Sequence, residues 1–214
     1  MRLVLVNCRR GEPDVVAHAV MRSAGKDKSP WLVDWLAVEV RERCHAAYKI
    51  IDGRDGMPAT YPAFAGQLDV PLDLFGGLSP RNAYQRFESS WLASAFPEDQ
   101  LGRWAADRMK AWIEDQQRRC APKPTQSIMV PDCAGRGPSA QRVVDAFPGD
   151  VTLLQVYAKG DSRYPLELTG VRDCVVEIAE DFTPSQNEAA FRKAAPHLFL
   201  ELPPSQGAIV VAQA

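Results

Sequence analysis

The stretch Ser127–Gly137, SIMVPDCAGRG, constrains the fold more than any other part of the chain. Ser127, Ile128, Met129 and Val130 form a short apolar run, and Pro131 then withdraws a backbone donor and ends it. Asp132, Cys133, Gly135 and Arg136 follow, and the next apolar run starts only at Val143. A run that empties into carboxylate, glycine and arginine reads as a buried parallel strand whose carboxyl end opens into a loop. Ligands sit at that edge in open α/β sheets, which makes Asp132 and Arg136 the first functional candidates. The competing reading is a helix-capping Asp beside a solvated Arg.

The remaining elements fit an α/β sheet with helices on its faces. Leu3–Val6 reads as an edge-to-centre strand and Val15–Met21 as a short helix. Pro30 suits the first turn of a helix that carries Trp31, Leu32, Trp35 and Leu36 and runs through Ala47. Tyr48–Ile51 is then a brief strand closed by Asp52-Gly53. From Arg54 to Gly77 the chain is rich in Gly, Pro and Asp, the composition of a long loop or lid. Ser79 as N-cap and Pro80 at the first helical position start a helix that lines up Tyr84, Phe87, Trp91, Leu92 and Ala95. Pro97 interrupts it, and Leu101–Arg119 is the most periodic segment, ended by Pro122 and Pro124. Beyond the opening stretch, Pro138–Phe147 reads as helix, Val151–Tyr157 as strand, Lys159–Tyr164 as polar loop and Val171–Ile178 as strand. Asp181–Ala195 is a helix capped by Thr183, and Leu198–Leu202 with Ala208–Val211 are closing strands. The expectation is one α/β domain over 1–214, with 54–124 as a lid or helical insert within it.

The net charge of -2 argues against a surface that grips nucleic acid everywhere, while leaving room for a local basic groove and DNA contact. Five dispersed cysteines, without a CxxC, suggest reduced thiols and a cytoplasmic setting. His18, His45 and His197 are too scattered to suggest a zinc site, and no apolar run has the length of a signal peptide core or a membrane span. Five tryptophans, three of them within Trp91–Trp112, suggest a helix-packing layer or an aromatic-rimmed pocket.

Three fragments carry chemistry. RSAGKDKS (Arg22–Ser29) has the Gly25-Lys26 pair of a phosphate-binding loop ahead of an expected helix. Val20 stands where such a loop has its first glycine, Asp27 where it has its hydroxyl, and Ser29 comes two residues later. A solvated Gly/Lys turn is the plainer reading. Arg81 and Gln85 stand four apart on one helix, where Arg suits a phosphate and Gln a base edge, or both simply form its wet face. Asp132 suits Mg²⁺ held through water, and Arg136, Lys159, Arg163 and Arg172 suit phosphates at the carboxyl ends of strands. Glu167 suits the orientation of one of these cations, or is an exposed turn carboxylate. Cys133, with no base nearby in sequence, reads as a packed thiol rather than a nucleophile.

The order of these pieces resembles the deoxynucleoside monophosphate kinases of bacteriophages, which are P-loop proteins. RSAGKDKSPWLVDWL is similar to the family's phosphate loop and following helix, and LSPRNAYQRFESSW to a helical segment matched at Pro80, Arg81, Gln85 and Trp91. SIMVPDCAGRG with the helix and strand after it resembles the family's late strand ending in Asp, and Glu167 fits the closing region. The likeness spans most of Arg22–Glu177. It implies a P-loop-kinase-like parallel sheet and transfer of phosphate from ATP, with Mg²⁺, to a deoxynucleotide or modified pyrimidine. Gly25, Lys26 and Ser29 would then hold ATP, with Lys26, Asp132 and Arg136 catalytic. Ser29 and Asp132 would serve the metal, and Arg81, Gln85 and Glu167 the acceptor. The family's loop follows its first strand directly, whereas some twenty residues separate Val6 from Gly25 here. Either an insertion follows the first strand, or Val15–Val20 feeds the loop, or Arg9–Asp14 is the eroded loop and Gly25-Lys26 a coincidence. With the loop lost, the fold would serve as a binding or scaffold protein for a protein partner or as a homodimer.

Overall fold

Strand β1 (Arg2–Cys8) is the centre of a sheet in the computed structural model, which describes residues 1–8, 31–33, 36, 38–52, 69–118, 127–158, 165–178 and 184–198. It pairs with β3 (Ser127–Val130) on one side and β4 (Asp150–Ala158) on the other. β2 (Trp31–Val33) lies beyond β3, and β5 (Arg172–Ile178) beyond β4. The order is β2-β3-β1-β4-β5 and every pairing is parallel. A parallel strand covered on both faces reads as an unbroken apolar run, which accounts for LVLV and SIMV. Leu3, Val4, Leu5, Val6, Ile128, Met129 and Val130 are all completely buried.

Alternation along the strands divides these side chains between two cores. Leu3, Leu5, Ile128, Val130, Val151 and Leu153 face a layer of α1 (Val38–Asp52), α3 (Gln100–Arg118) and α4 (Gly137–Ala146). Val4, Val6, Met129, Leu154, Val156 and Val176 face α5 (Pro184–Ala194), whose Phe191 is fully buried. Helices α3 and α4 touch closely because Gly102 has no side chain: a Cβ there would lie 2.1 Å from the carbonyl oxygen of Ser139.

Most expected elements form within a residue or two of their expected ends. Ser79 caps α2 (Pro80–Arg86), its Oγ accepting the N–H of Asn82 at 3.3 Å, with Pro80 in the first turn. Some expectations fail. Trp31–Val33 is an edge strand rather than the start of a helix, and the helix begins at Val38 instead. A three-residue apolar run suits either element, and parallel pairing with Ser127–Met129 decides for strand. Tyr48–Ile51 is not a strand, because α1 runs through it to Asp52. Val15–Met21, Lys159–Tyr164, Thr183 and Ala208–Val211 lie outside the described residues, as does 53–68 of the expected lid. Leu198 sits in a 3₁₀ turn, Pro196–Leu198, and not at the head of a strand.

After α2 the chain does not continue as α-helix. Phe87–Leu92 is a π-helical turn, in which the Ala93 N–H reaches back to Glu88. The wider turn lags behind α-helical phase, so Leu92 rather than Trp91 returns to the side of Tyr84. Leu92 is accordingly buried, whereas Trp91 is 40% exposed and Ala95 is exposed. The expected single face of Tyr84, Trp91 and Ala95 is therefore broken. Among the described residues no helix is long and apolar enough to cross a membrane.

The sheet changes its direction of winding at β1. From β1 the chain goes to the β2 edge, whereas from β3 and β4 it moves toward β5. The carboxyl ends of β1 and its neighbours are thus the edge at which such sheets take ligands.

Candidate active site

At the carboxyl end of β3 the chain turns back on itself. Pro131 ends the strand, Gly135 takes a left-handed φ of 73°, and the Arg136 N–H bonds to the Cys133 carbonyl at 3.0 Å. The turn folds the Arg136 side chain over Asp132. Its Nη1 donates to the Asp132 backbone carbonyl at 2.8 Å and stands 3.4 Å from Asp132 Oδ2. Its other edge faces the π-turn, where Nε and Nη2 each donate to one oxygen of Glu88 at 2.9 Å. This two-pronged, charge-assisted contact fixes both distance and orientation. Burial alone would lower the Arg136 pKa, but the Glu88 hydrogen bonds, with the charges of Asp132 and Glu88, outweigh it and raise the pKa. Asp132 is itself buried, and its Oδ1 accepts the backbone N–H of Leu36 at 2.8 Å.

Cys133 is a packed thiol, as its sequence context suggests. Its Sγ donates to the Val130 carbonyl at 3.3 Å, and its backbone N–H bonds to Val6 of β1 at 3.2 Å. Burial and the Asp132 charge push the thiol far above its usual range, which suppresses the thiolate.

Beside this turn lies a cavity of about 650 Å³, lined among the described residues by Leu78, Asn82, Gln85, Arg86, Glu88 and Ser89. Helix α2 supplies Asn82, Gln85 and Arg86, and the π-turn supplies Glu88 and Ser89. Glu88 belongs to both features: it lines the cavity and grips Arg136. The cavity therefore opens next to the ligand edge of the sheet. Amide and hydroxyl groups in such a space can hydrogen-bond a heterocycle, and the guanidinium next to it can attract an anion.

A second polar cluster lies toward the carboxyl ends of β1 and β4, where Asn7 and Gln155 are register partners. Gln155 Oε1 accepts from Asn7 Nδ2 at 3.1 Å, the Tyr157 hydroxyl at 2.9 Å and the Leu166 N–H at 2.8 Å. Its Nε2 donates to Asp173 Oδ2 at 2.9 Å. Gln155 thus ties the segment that carries the exposed Glu167 down onto the sheet.

The residues expected to act fall into three groups. Asp132 and Arg136 are in contact, and Gln85 lines the neighbouring cavity. Arg81 points elsewhere: it pairs with Asp69 at 2.7 Å on the surface and holds that carboxyl below its ordinary pKa. Arg172 opens β5, which puts it at the amino end of the strand and overturns its expected place at a carboxyl end. Gly25, Lys26 and Ser29, with Lys159 and Arg163, lie outside the described residues. Sequence reasoning missed Glu88, Asn7 and Gln155. The last two carried a signal, since each is a lone amide at or inside an apolar strand. Among the described residues no three His, Cys, Asp or Glu side chains are gathered as a metal site. No family model matches the chain, and comparison with curated proteins gives no match.

Proposed function

We propose that this protein is a nucleotide phosphotransferase of the nucleoside monophosphate kinase type. It would move the terminal phosphoryl group of ATP to a deoxynucleoside monophosphate or a related modified pyrimidine. The observation that carries the reading is Glu88, which lines the α2 cavity and binds the arginine at the carboxyl end of β3. An acceptor in that cavity would have its base against Asn82 and Gln85 and its phosphate toward Arg136. The parallel sheet that reverses at β1 supports a ligand at this edge.

Magnesium keeps several waters and needs only one or two carboxylates besides the substrate phosphates. A single carboxylate with an arginine 3.4 Å away fits that role through water and not as a closed cage. When bound, the ion would neutralise charge on the phosphates. Asp132 would orient its waters from a fixed position, because Leu36 and Arg136 hold the carboxylate on two sides. Lys26, with Gly25 and Ser29, enters on the sequence motif alone, as the group that meets the transferring phosphate.

A second reading is favoured by one observation. Trp91 is exposed and sits between Phe87, tilted against it, and Phe96, edge-on to it, with ring centroids 4.8 and 5.3 Å away, as in a surface that meets another protein. A catalytically degenerate member of the fold would use it as a scaffold.

Thermal melting and a phosphate-transfer assay separate the two. Ligand at about a hundred times its Kd stabilises the native state by about 2.7 kcal/mol. The kinase reading expects ATP with Mg²⁺, and at least one deoxynucleoside monophosphate, to raise Tm, and Lys26→Ala to abolish turnover while the protein stays folded. An unchanged Tm at millimolar ATP, ADP and all four monophosphates would overturn it.

A further inference from the structure

We infer that Glu88 is a displaceable occupant of an oxyanion subsite on Arg136, and that a phosphate monoester entering the α2 cavity exchanges with it. The inference rests on the reading given above only for the molecule that carries the phosphate. Its basis is the geometry of one guanidinium. Arg136 offers two edges, and Asp132 holds one of them through Nη1, at 2.8 Å to the backbone oxygen and 3.4 Å to Oδ2. That edge belongs to the same tight turn as the arginine, so it keeps its hold whatever happens at the π-turn. The second edge, Nε with Nη2, carries the Glu88 carboxylate at 2.9 Å on each prong. Two oxygens of a phosphate fit that fork in the same way, since carboxylate and phosphate present matched acceptor pairs to arginine.

The two partners differ in freedom. Arg136 is fixed from below, while Glu88 is a cavity-lining side chain, 28% exposed, on a π-helical turn. Such turns widen the helix and recur at functional sites. When Glu88 swings into the cavity water it recovers its hydration, and the guanidinium stays oriented with its fork open. A carboxylate in the fork keeps a partly buried cation paired while no ligand is present, which reduces the cost of an unpaired charge. It also lowers anion affinity, because each incoming phosphate competes with it. Glu88 is therefore a specificity residue: it rejects anions that bring nothing to the rest of the cavity, and admits those whose attached group also binds Asn82 and Gln85.

The test is isothermal titration of the full-length protein with inorganic phosphate and, separately, with each deoxynucleoside monophosphate. Glu88→Gln removes the competing charge at nearly constant shape, and is expected to bind inorganic phosphate about tenfold tighter than the parent. Glu88→Asp, with a shorter reach and the same charge, is expected between the two and serves if the glutamine variant does not fold. Arg136→Met in the Glu88→Gln background should erase the gain. Glu114→Gln, at the far end of α3, controls for the loss of one negative charge and should leave affinity unchanged. Equal or weaker phosphate binding by folded Glu88→Gln and Glu88→Asp would overturn the inference, as would a gain that survives Arg136→Met or appears in Glu114→Gln. A gain for inorganic phosphate without any for the monophosphates would keep the subsite and remove the nucleotide reading.

Discussion

Asp132 Oδ1 accepts the backbone N–H of Leu36 at 2.8 Å, a bond between residues 96 positions apart that are both buried. It ties the approach to α1 to the carboxyl end of β3. Asp132→Ala would leave that N–H without its acceptor and remove a charge partner from Arg136. The expected loss is about 2–4 kcal/mol of stability, read by urea unfolding. Asp132→Asn retains an acceptor for Leu36 but sets an uncharged amide beside Arg136, and should cost roughly half as much. A smaller effect for Ala than for Asn would contradict this assignment.

Strands β1 and β3 were legible because both of their faces are covered, so that LVLV and SIMV read as almost continuous apolar runs. The Ser79-Pro80 start of α2 was equally plain, since capping is local chemistry. What stayed hidden was set by distance in the chain. Nothing within WLV distinguishes strand from helix until Ser127–Met129 is beside it. The π-turn could not be read from α-helical spacing, and with it went Glu88, which looks like one more residue on a wet face. Asp132 and Arg136 were visible as a chemical pattern, but their contact depends on the turn at Gly135. Arg81 has a partner that residue type does not announce: it stands on the expected helix and pairs with the surface carboxylate Asp69.

Gly102 should not tolerate a side chain. Alanine gains about 1 kcal/mol of helix propensity over glycine. Its methyl group would meet backbone, not a movable side chain, with the Ser139 carbonyl oxygen 2.1 Å away. Separation of α3 from α4 opens the core between them, so a net loss of about 1–3 kcal/mol is expected in thermal or urea unfolding. A stabilised Gly102→Ala variant would show that the two helices do not pack at this point.

On α2 the polar residues Gln85 and Arg81 should behave differently. Gln85 is exposed and lines the cavity, so Gln85→Ala should change stability by less than about 0.5 kcal/mol. It should weaken binding of a deoxynucleoside monophosphate while sparing ATP. Arg81→Ala breaks a surface pair with Asp69 and should alter neither ligand beyond the noise of titration calorimetry. Ser79→Ala removes the cap and should cost about 1 kcal/mol of stability. Equal losses for both ligands in Gln85→Ala would mean that α2 is not the acceptor wall.

His197 gives the protein an acid-sensitive contact. Its Nε2 lies 2.9 Å from the Thr152 hydroxyl. Burial first, then the charges of Arg172 and Arg2, lower its pKa against the opposing pull of Asp150. Around pH 6.5 the unfolded chain already takes up the proton, whereas the folded chain does so only at lower pH. Stability from this group is therefore complete above that point and is lost as pH falls through the folded pKa. Urea unfolding from pH 8 to 5 should show this slope in the parent and a shallower one in His197→Gln. Parallel profiles would mean that the imidazole titrates alike in both states.

Gln155 is a buried polar residue that joins several parts of the fold. Its Oε1 receives donors from β1, from β4 and from the segment at Leu166, while its amide holds Asp173 on β5. Gln155→Leu keeps approximate volume but removes the acceptor shared by Asn7 Nδ2, the Tyr157 hydroxyl and the Leu166 N–H. Each donor left unsatisfied in the interior costs about 1–3 kcal/mol, less where water can reach it. The Leu166 segment, half-buried, has that route to solvent and should release first. Hydrogen exchange is then the discriminating measurement. The Leu166 amide should lose its protection in Gln155→Leu, while amides in the middle of β1 and β4 exchange only through global unfolding. Gln155→Glu keeps an acceptor for Leu166 and places a charge near Asp173, so its Leu166 amide should remain protected although the variant is less stable. Loss of protection spread evenly over β1, β4 and Leu166 in the leucine variant would mean that Gln155 supports the sheet as a whole and not the segment carrying Glu167.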